Sequence, residues 1–275
     1  MKYLLLATCA VLFATFGYTQ YYYNDIVALQ QAQQQYEALK NNNIKSVIAT
    51  SYENDNQPVE NFSLEQHISP GAKTITVSSN DPASGAMFTT NRYENNRMVK
   101  TTDSTDKVVT TATYQYDASG KLLAIITETD DAFMNSHSQE VHQWHYNGDV
   151  PDYMLRIKDN ADTTRIDFTY DEQGNVAQES WNKNGRNIEN YYYYYNDNHQ
   201  LTDIVRYNSR AKKMLPDYLF DYNANGRLAQ LTQVPAGNDN YMVWKYVYSG
   251  SGLKQRELLF NKQNQLVGRI QYQYQ

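Results

Sequence analysis

A short aromatic motif recurs along the chain, and its regular spacing constrains the fold more than any other feature of the sequence. Most copies join an aromatic–x–Tyr triplet to Asp or Asn, then Gly and an aliphatic residue: YQYDASGKL at 114–122, FTYDEQGNV at 168–176, YYYNDNHQL at 193–201 and FDYNANGRL at 220–228. Shorter copies are YVYSGSGL at 246–253, WHYNGD at 144–149 and YQY at 272–274. The second aromatic recurs at intervals of 24–30 residues. This periodicity predicts one array of repeated structural units.

Each unit contains a weaker second motif. Trp181, Tyr207 and Phe260 begin the stretches WNKNGR, YNSR and FNKQNQL, each 11 or 12 residues after a repeat tyrosine. A unit therefore holds two strands and two turns. Seven such units predict a long antiparallel meander of hairpins.

The order of residues within a copy is that of a three-residue hairpin loop. Asp or Asn begins a type I turn, and Gly takes the left-handed position that closes the loop. The tyrosine should then pair across the ladder with the aliphatic residue six positions later. The predicted pairs are Tyr116–Leu122, Tyr170–Val176, Tyr195–Leu201 and Tyr222–Leu228. His199 and Asn264 stand where Gly is missing, and both residue types tolerate positive φ.

Alternation along the strands separates an aromatic face from a polar face. The repeat aromatics share the first face, which we expect to be buried. Residues such as Thr113, Gln115, Asp167 and Thr169 share the second, which we expect to contact water. The predicted class is all-β, with a curved or coiled antiparallel sheet over 44–275, clearest over 114–275. Curvature is expected because a sheet of a dozen or more strands twists or rolls up.

Two segments precede the sheet. Residues 1–19 contain Lys2, an apolar run that includes the only cysteine, Cys9, and small residues before Gln20, as is typical of a secretory signal peptide. Residues 20–43 predict one short helix, capped by Asn24-Asp25 and ended by NNN at 41–43. Its apolar stripe is Ile26, Leu29, Ala32, Tyr36 and Leu39. We expect this helix to pack on a sheet end or to act as a spacer.

The repeats resemble those of the YD-repeat (Rhs-type) family, which read Y-x-Y-D-x-x-G-x-L. The matching residues lie at 114–122 and 168–176, with Asn in place of Asp at 193–201 and 220–228, and the resemblance covers roughly 93–275. It implies an exported β-repeat protein, since family members are secreted or surface proteins whose long forms spiral into a shell around a toxin. Seven units are too few for such a shell, and no toxin-like domain follows. The chain is also similar to small exported proteins of the Bacteroidetes.

Two stretches hold residues that could ligate a metal. Asp130, Asp131, His137, Glu140, His142 and His145 gather in 129–145, but His142 and His145 should point to opposite faces of a strand, so we interpret the stretch as a polar exposed loop. The acidic stretch 158–167 lacks the Gly and the distal Glu of a calcium loop and is interpreted as a turn. We predict no cofactor, no metal site and no catalytic residue, because no nucleophile elbow or phosphate-binding loop is present.

The signal peptide, the family resemblance and the lack of a recognisable catalytic motif together predict a non-enzymatic protein that is exported to the periplasm, the cell surface or the medium. A net charge of −6 without a basic stripe excludes nucleic acid as the expected partner. A glycan or a protein remains, with Tyr192 and Tyr194 as candidate stacking residues because they lie on the polar face. Two alternatives stay open. The first is an outer-membrane barrel, although polar residues such as Gln178 and Ser180 would interrupt its lipid belt; the main prediction is a mature chain that does not span the membrane. The second is an envelope hydrolase.

Overall fold

The computed structural model describes residues 20–235 and 240–275, so the predicted signal peptide lies outside the described residues. The chain first forms a wide helical turn, Tyr22–Val27, which continues into helix α1, Ala28–Asn41. A single 3-10 turn, Pro70–Ala72, lies between two of the strands. None of the helices in the described part of the chain is long and apolar enough to cross a membrane.

Eighteen strands follow the helix, and they confirm the all-β class. The first nine are β1 Ser46–Glu53, β2 Ser63–Ile68, β3 Thr74–Asp81, β4 Gly85–Glu94, β5 Arg97–Ser104, β6 Val108–Tyr116, β7 Leu122–Asp131, β8 Ser136–Asn147 and β9 Val150–Lys158. The second nine are β10 Asp162–Tyr170, β11 Val176–Lys183, β12 Arg186–Tyr195, β13 Leu201–Asn208, β14 Lys213–Tyr222, β15 Leu228–Gln233, β16 Met242–Tyr248, β17 Lys254–Asn261 and β18 Leu266–Tyr274.

The sheet closes into a barrel. Every strand pairs antiparallel with the next one along the chain, and β18 pairs with β1 from Val47 opposite Tyr274 to Glu53 opposite Gly268. The predicted antiparallel meander is confirmed, but the sheet closes into a barrel and does not stay a curved or coiled sheet. Closure satisfies the backbone groups that two edge strands of an open meander would expose.

The aromatic face of the repeats lines the inside of the barrel. Tyr114, Trp144, Phe168, Tyr193 and Phe220 are buried, whereas Gln115, Thr169, Tyr194, Asp221 and Gln273 on the alternate positions are exposed. Eighteen strands about 4.8 Å apart give a circumference of roughly 86 Å and a diameter of at least about 27 Å. Such a lumen has room for a helix about 10–12 Å across together with the side chains of the wall.

The predicted repeat turns are confirmed in register. Tyr116 pairs with Leu122, Tyr170 with Val176, Tyr195 with Leu201 and Tyr222 with Leu228, each beside a register shift of one residue. His199 and Asn264 both adopt φ 58°. The leading Asp or Asn is explained by its side chain: the Oδ1 atom of Asp117 accepts the backbone N–H groups of residues 119–121.

A ladder of tyrosine hydroxyls explains why the second aromatic of each copy is tyrosine, although the first varies. Each hydroxyl donates to a backbone carbonyl of the preceding unit, at the aliphatic position of the motif or its equivalent. The bonds run from Tyr116 to Met98, Tyr146 to Leu122, Tyr195 to Val176, Tyr222 to Leu201, Tyr248 to Leu228 and Tyr274 to Lys254. Tyr170 is the exception, since its buried hydroxyl has no partner among the described residues. The ladder joins neighbouring hairpins around one end of the barrel.

The turn geometry leads to a first prediction. Gly174 and Gly226 have φ of 84° and 73°, where a β-branched residue is strained by about 1–3 kcal/mol. Gly174→Val and Gly226→Val should each lower the thermal midpoint by several degrees. The matched control is Gly250→Val, because Gly250 lies in a repeat turn with φ outside the left-handed region and with nothing within 4 Å of an added Cβ. Equal midpoints for all three variants would contradict the proposed role of these glycines.

Candidate functional site: a plugged lumen

The N-terminal segment, residues 20–41, lies inside the barrel, and we call it the plug. Tyr21, Tyr23, Tyr36 and Leu39 belong to the same buried core as the wall residues. The ring of Tyr36 stacks on Tyr93 with ring centroids 4.0 Å apart, and Tyr23 packs against Phe220 at 5.2 Å. The sequence led us to expect packing on a sheet end or a spacer; the first turn packs in the lumen, and Gln33 and Lys40 of α1 also bond to Asn96 in the turn between β4 and β5, at one end of the barrel. The predicted stop at 41–43 is confirmed, since α1 ends at Asn41.

A carboxylate of the wall holds the first turn of the plug. Glu179 on β11 is fully buried, and its two oxygens accept the backbone N–H groups of Tyr21 and Tyr22 at 2.9 Å. The same carboxylate accepts the indole N–H of Trp181 at 2.5 Å and the hydroxyl of Tyr193 at 2.6 Å. Burial raises the pKa of Glu179, and the four donors oppose that shift. Glu179 belongs to a strand of the wall, yet it accepts the N–H groups that an N-terminal cap residue of the helix would ordinarily accept.

The predicted cap Asn24-Asp25 was wrong, because helical structure begins before it and Asp25 bonds to the wall instead. Its Oδ2 atom lies 2.7 Å from Nδ1 of His142 and accepts the indole N–H of Trp144 at 3.1 Å. The Nε2 atom of His142 lies 2.9 Å from Glu140, which in turn accepts a bond from Arg156 at 2.5 Å. We call Asp25, His142, Glu140 and Arg156 the charged network.

The charges of this network determine which of its side chains carry a proton at neutral pH. Although burial opposes it, the carboxylates of Asp25 and Glu140 raise the pKa of His142 to about 9. Burial likewise opposes the bonds from His142 and Arg156 that lower the pKa of Glu140 to about 2. At neutral pH the imidazole is therefore a cation between two carboxylates. It joins the plug to β8 in the low-dielectric interior, where such pairs are strongest.

A cavity of about 1180 Å³ remains between the plug and the wall. One side is the glutamine face of the plug, Gln30, Gln31, Gln34 and Gln35. Aromatic side chains of β16 and β18 line it as well, among them Trp244, Tyr246 and Tyr272. Thr and Ser side chains of β5–β8 complete the polar part of its surface. The barrel is therefore occupied but not filled.

The stretches that were weighed as metal sites have other roles. Residues 129–145 form the end of β7, a turn and most of β8, so the interpretation as a loop was wrong. His142 and His145 do lie on opposite faces, with His145 stacked on Tyr153 at 4.2 Å. His137 and Asp130 pair on the surface at 2.8 Å. The described residues contain no group of three or more His, Cys, Asp or Glu side chains in an arrangement that could hold a metal ion. Of the stretch 158–167, which was interpreted as a turn, only residues 159–161 form one, because 162–167 belong to β10.

Tyr192 and Tyr194 lie on the outer face of β12, as the alternation predicts. Tyr194 is 53% exposed and Tyr192 is half-buried. Beside them is a shallow hollow of about 470 Å³, bordered by the turn residues Asp171, Glu172 and Gln173. This site is separate from the lumen because it is on the other side of the wall. Its role as a stacking platform stays a prediction.

Comparisons with known proteins find structures that are similar to this chain but no family to which it belongs. No protein-family model matches the chain, and no curated protein matches it. A porin-like protein from Bacteroides uniformis is 8% identical, with 84% of this chain and 98% of that chain covered and a TM-score of 0.41. A porin-like protein from Bacteroides vulgatus is 9% identical, with 84% and 98% covered and a TM-score of 0.26. The Tc holotoxin pore of Photorhabdus luminescens is 11% identical over 86% of this chain and 17% of that chain, with a TM-score of 0.31. At these scores the likenesses assign neither a family nor an activity.

Proposed function

We propose that the protein is an exported, non-enzymatic β-barrel of the bacterial envelope, which keeps its outer face in water and its own N-terminal segment in the lumen. The observation that carries this proposal is the direction of the side chains. The repeat aromatics point inward together with polar side chains such as Thr127, whereas charged residues occupy the outer face. A membrane barrel instead has a continuous apolar band on its outer face.

Charged side chains occupy the outer face at intervals around the whole barrel. They are Arg92 on β4, Lys100 on β5, Glu128 on β7, Arg165 and Asp167 on β10, Asp203 on β13, Asp221 on β14, Lys245 on β16, Arg256 on β17 and Arg269 on β18. Each Arg or Lys at the bilayer midplane would cost about 2–4 kcal/mol. The sum around the circumference favours water as the surrounding medium.

Cations also cover several of the outer aromatic rings. The guanidinium of Arg165 lies 3.7 Å from the ring centroid of Tyr153, and that of Arg269 lies 4.4 Å from Tyr52. The ammonium of Lys245 lies 4.8 Å from Phe260. These cation–π contacts keep the charge in solvent while its stem shields the ring. They are consistent with a surface that contacts water.

An outer-membrane barrel is the second candidate, and closure of the sheet is the observation that favours it. Closed barrels are one of the two architectures that cross a bilayer, because they leave no unpaired backbone groups at an edge. Sequence analysis left an outer-membrane barrel open as an alternative. Closure of the sheet supports that alternative over a repeat module with an open sheet. The two candidates share the architecture and differ in the medium around it.

Fractionation of the native host distinguishes them. We expect the protein to leave the membrane pellet in an alkaline carbonate wash, to stay monodisperse without detergent, and to show no heat-dependent shift in gel migration. Retention in the outer membrane after the wash, with a heat-dependent shift, would replace the first candidate with the second. The variant Lys100→Leu removes one charge from the outer face. If that face contacts water, the variant should leave the membrane pellet in the carbonate wash as the wild type does.

The remaining elements of the proposal rest on the sequence. The proposal of export rests on residues 1–19, which resemble a leader. The likeness to YD repeats rests on the motif copies that form the turns. A surface glycan or protein is the proposed partner of Tyr192 and Tyr194, because an exposed ring beside carboxylate and amide side chains provides both stacking and hydrogen bonding.

A further inference from the structure

We propose that the cavity beside the plug is a binding site for a neutral, hydroxyl-rich ligand of the size of a mono- to oligosaccharide. The inference goes beyond the proposed function, which holds whether or not the lumen is occupied. The cavity of about 1180 Å³ exceeds the usual 300–1,000 Å³ range of small-molecule pockets. A ligand of several sugar rings therefore fits its dimensions.

The charge of the cavity wall argues for a neutral ligand. Five acidic and five basic side chains line it together with the His142 cation, which lies between two of the carboxylates, so little net charge remains. Most of them already bind each other across the wall: Glu140 with Arg156, Asp162 with Lys183 and Glu257 with Lys254. A charged ligand that competes with a buried pair such as Glu257 with Lys254 would lose several kcal/mol. A neutral ligand has no such cost.

The aromatic part of the wall combines rings with polar groups: the Trp244 ring is 8% exposed, and the ammonium of Lys254 lies 4.8 Å from the ring centroid of Tyr246. Trp244 and Tyr246 alternate along β16, and Tyr272 lies on β18. Between them on β17 is the buried carboxylate of Glu257, which accepts bonds from Lys254 at 2.7 Å and from Tyr272 at 2.8 Å. The apolar C–H face of a sugar ring packs on such aromatic faces while its hydroxyls reach neighbouring donors and acceptors.

The plug contributes amides to the same cavity. Gln30 and Gln34 are one helical turn apart, as are Gln31 and Gln35, so the four form one face of the helix. Their side chains make no hydrogen bond to another described residue. Each amide carries two donors and an acceptor, which matches the mixed donor and acceptor character of a hydroxyl. The two halves of a sugar-binding surface, rings and amides, therefore line a single cavity.

The test is calorimetric titration of the full chain with glucose, N-acetylglucosamine, maltotriose and cellotriose, together with glucuronate and glucosamine as charged counterparts. We expect saturable binding of at least one neutral sugar and at least tenfold weaker binding of its charged counterpart. Trp244→Ala should weaken binding at least tenfold. Gln34→Ala, at a solvent-accessible position of α1 beside the cavity, should weaken it about fivefold.

The control variant is Tyr207→Ala, which removes an exposed aromatic ring outside both proposed binding sites and should leave the affinity unchanged. Thermal midpoints show whether Trp244→Ala folds; if it does not, Gln34→Ala alone decides. The proposal is overturned if none of the neutral sugars binds, if both lumen variants bind like wild type, or if Tyr207→Ala removes the binding. Tighter binding of glucuronate or glucosamine would overturn the neutral class.

Discussion

Glu179→Ala is expected to lower the free energy of unfolding by about 4 kcal/mol or more. The substitution leaves four buried donors without an acceptor: the backbone N–H groups of Tyr21 and Tyr22, the indole of Trp181 and the hydroxyl of Tyr193. A buried donor without its partner costs about 1–3 kcal/mol, and the four costs do not simply add. A midpoint shift of roughly 10 °C follows for a chain of this length.

Hydrogen exchange shows where this energy is lost. In the wild type the amides of 21–27 should be protected, whereas in Glu179→Ala they should exchange quickly while the strand amides stay protected. Tyr193→Phe removes one donor and keeps the carboxylate, so it should cost less. Glu172→Ala, on an exposed turn, is the matched control and should change neither quantity. Wild-type protection of 21–27 in Glu179→Ala would contradict the anchoring role of this carboxylate.

The sequence predicted the local rules of the fold well, because those rules act over six or seven residues. Tyr170, the turn that follows it and Val176 are adjacent in the chain, so turn chemistry and strand alternation were sufficient to place them. Closure was not predictable in the same way. The contact of β1 with β18 joins residues more than 200 positions apart, and no local pattern of Val47 or Tyr274 records it.

The site was missed for a related reason. Asp25 was interpreted as a cap, since Asp before a helix usually bonds its own backbone. Its actual partners, His142 and Trp144, come from a strand more than 110 residues away. Glu140 and His142 at alternate positions do share one strand face, and this spacing was the available indication that both point inward. Nothing in the sequence indicated that Glu179 is buried, because a single glutamate in a strand ordinarily points outward.

The charged network makes stability depend on pH in a defined window. The pKa of His142 is raised from its ordinary value near 6.5 to about 9, so its contribution is complete below pH 6.5 and is lost as the pH rises through 9. The pKa of Glu140 is lowered from 4.5 to about 2, so its contribution is complete above pH 4.5 and is lost as the pH falls through 2. The network therefore stabilises the fold most between about pH 4.5 and 6.5.

On the alkaline side the expected loss is large enough to measure directly. The raised pKa of His142 corresponds to about 3 kcal/mol between pH 6.5 and 9, or a midpoint decrease of roughly 6–12 °C. His142→Gln carries no titrating proton, so it should be less stable than wild type at pH 6 and nearly flat up to pH 9, where the two curves meet. His67→Gln, at an exposed histidine, should follow the wild-type curve. Parallel curves for His142→Gln and wild type would mean that the imidazolium does not hold the plug, because removal of the proton-binding group would then leave the pH dependence unchanged.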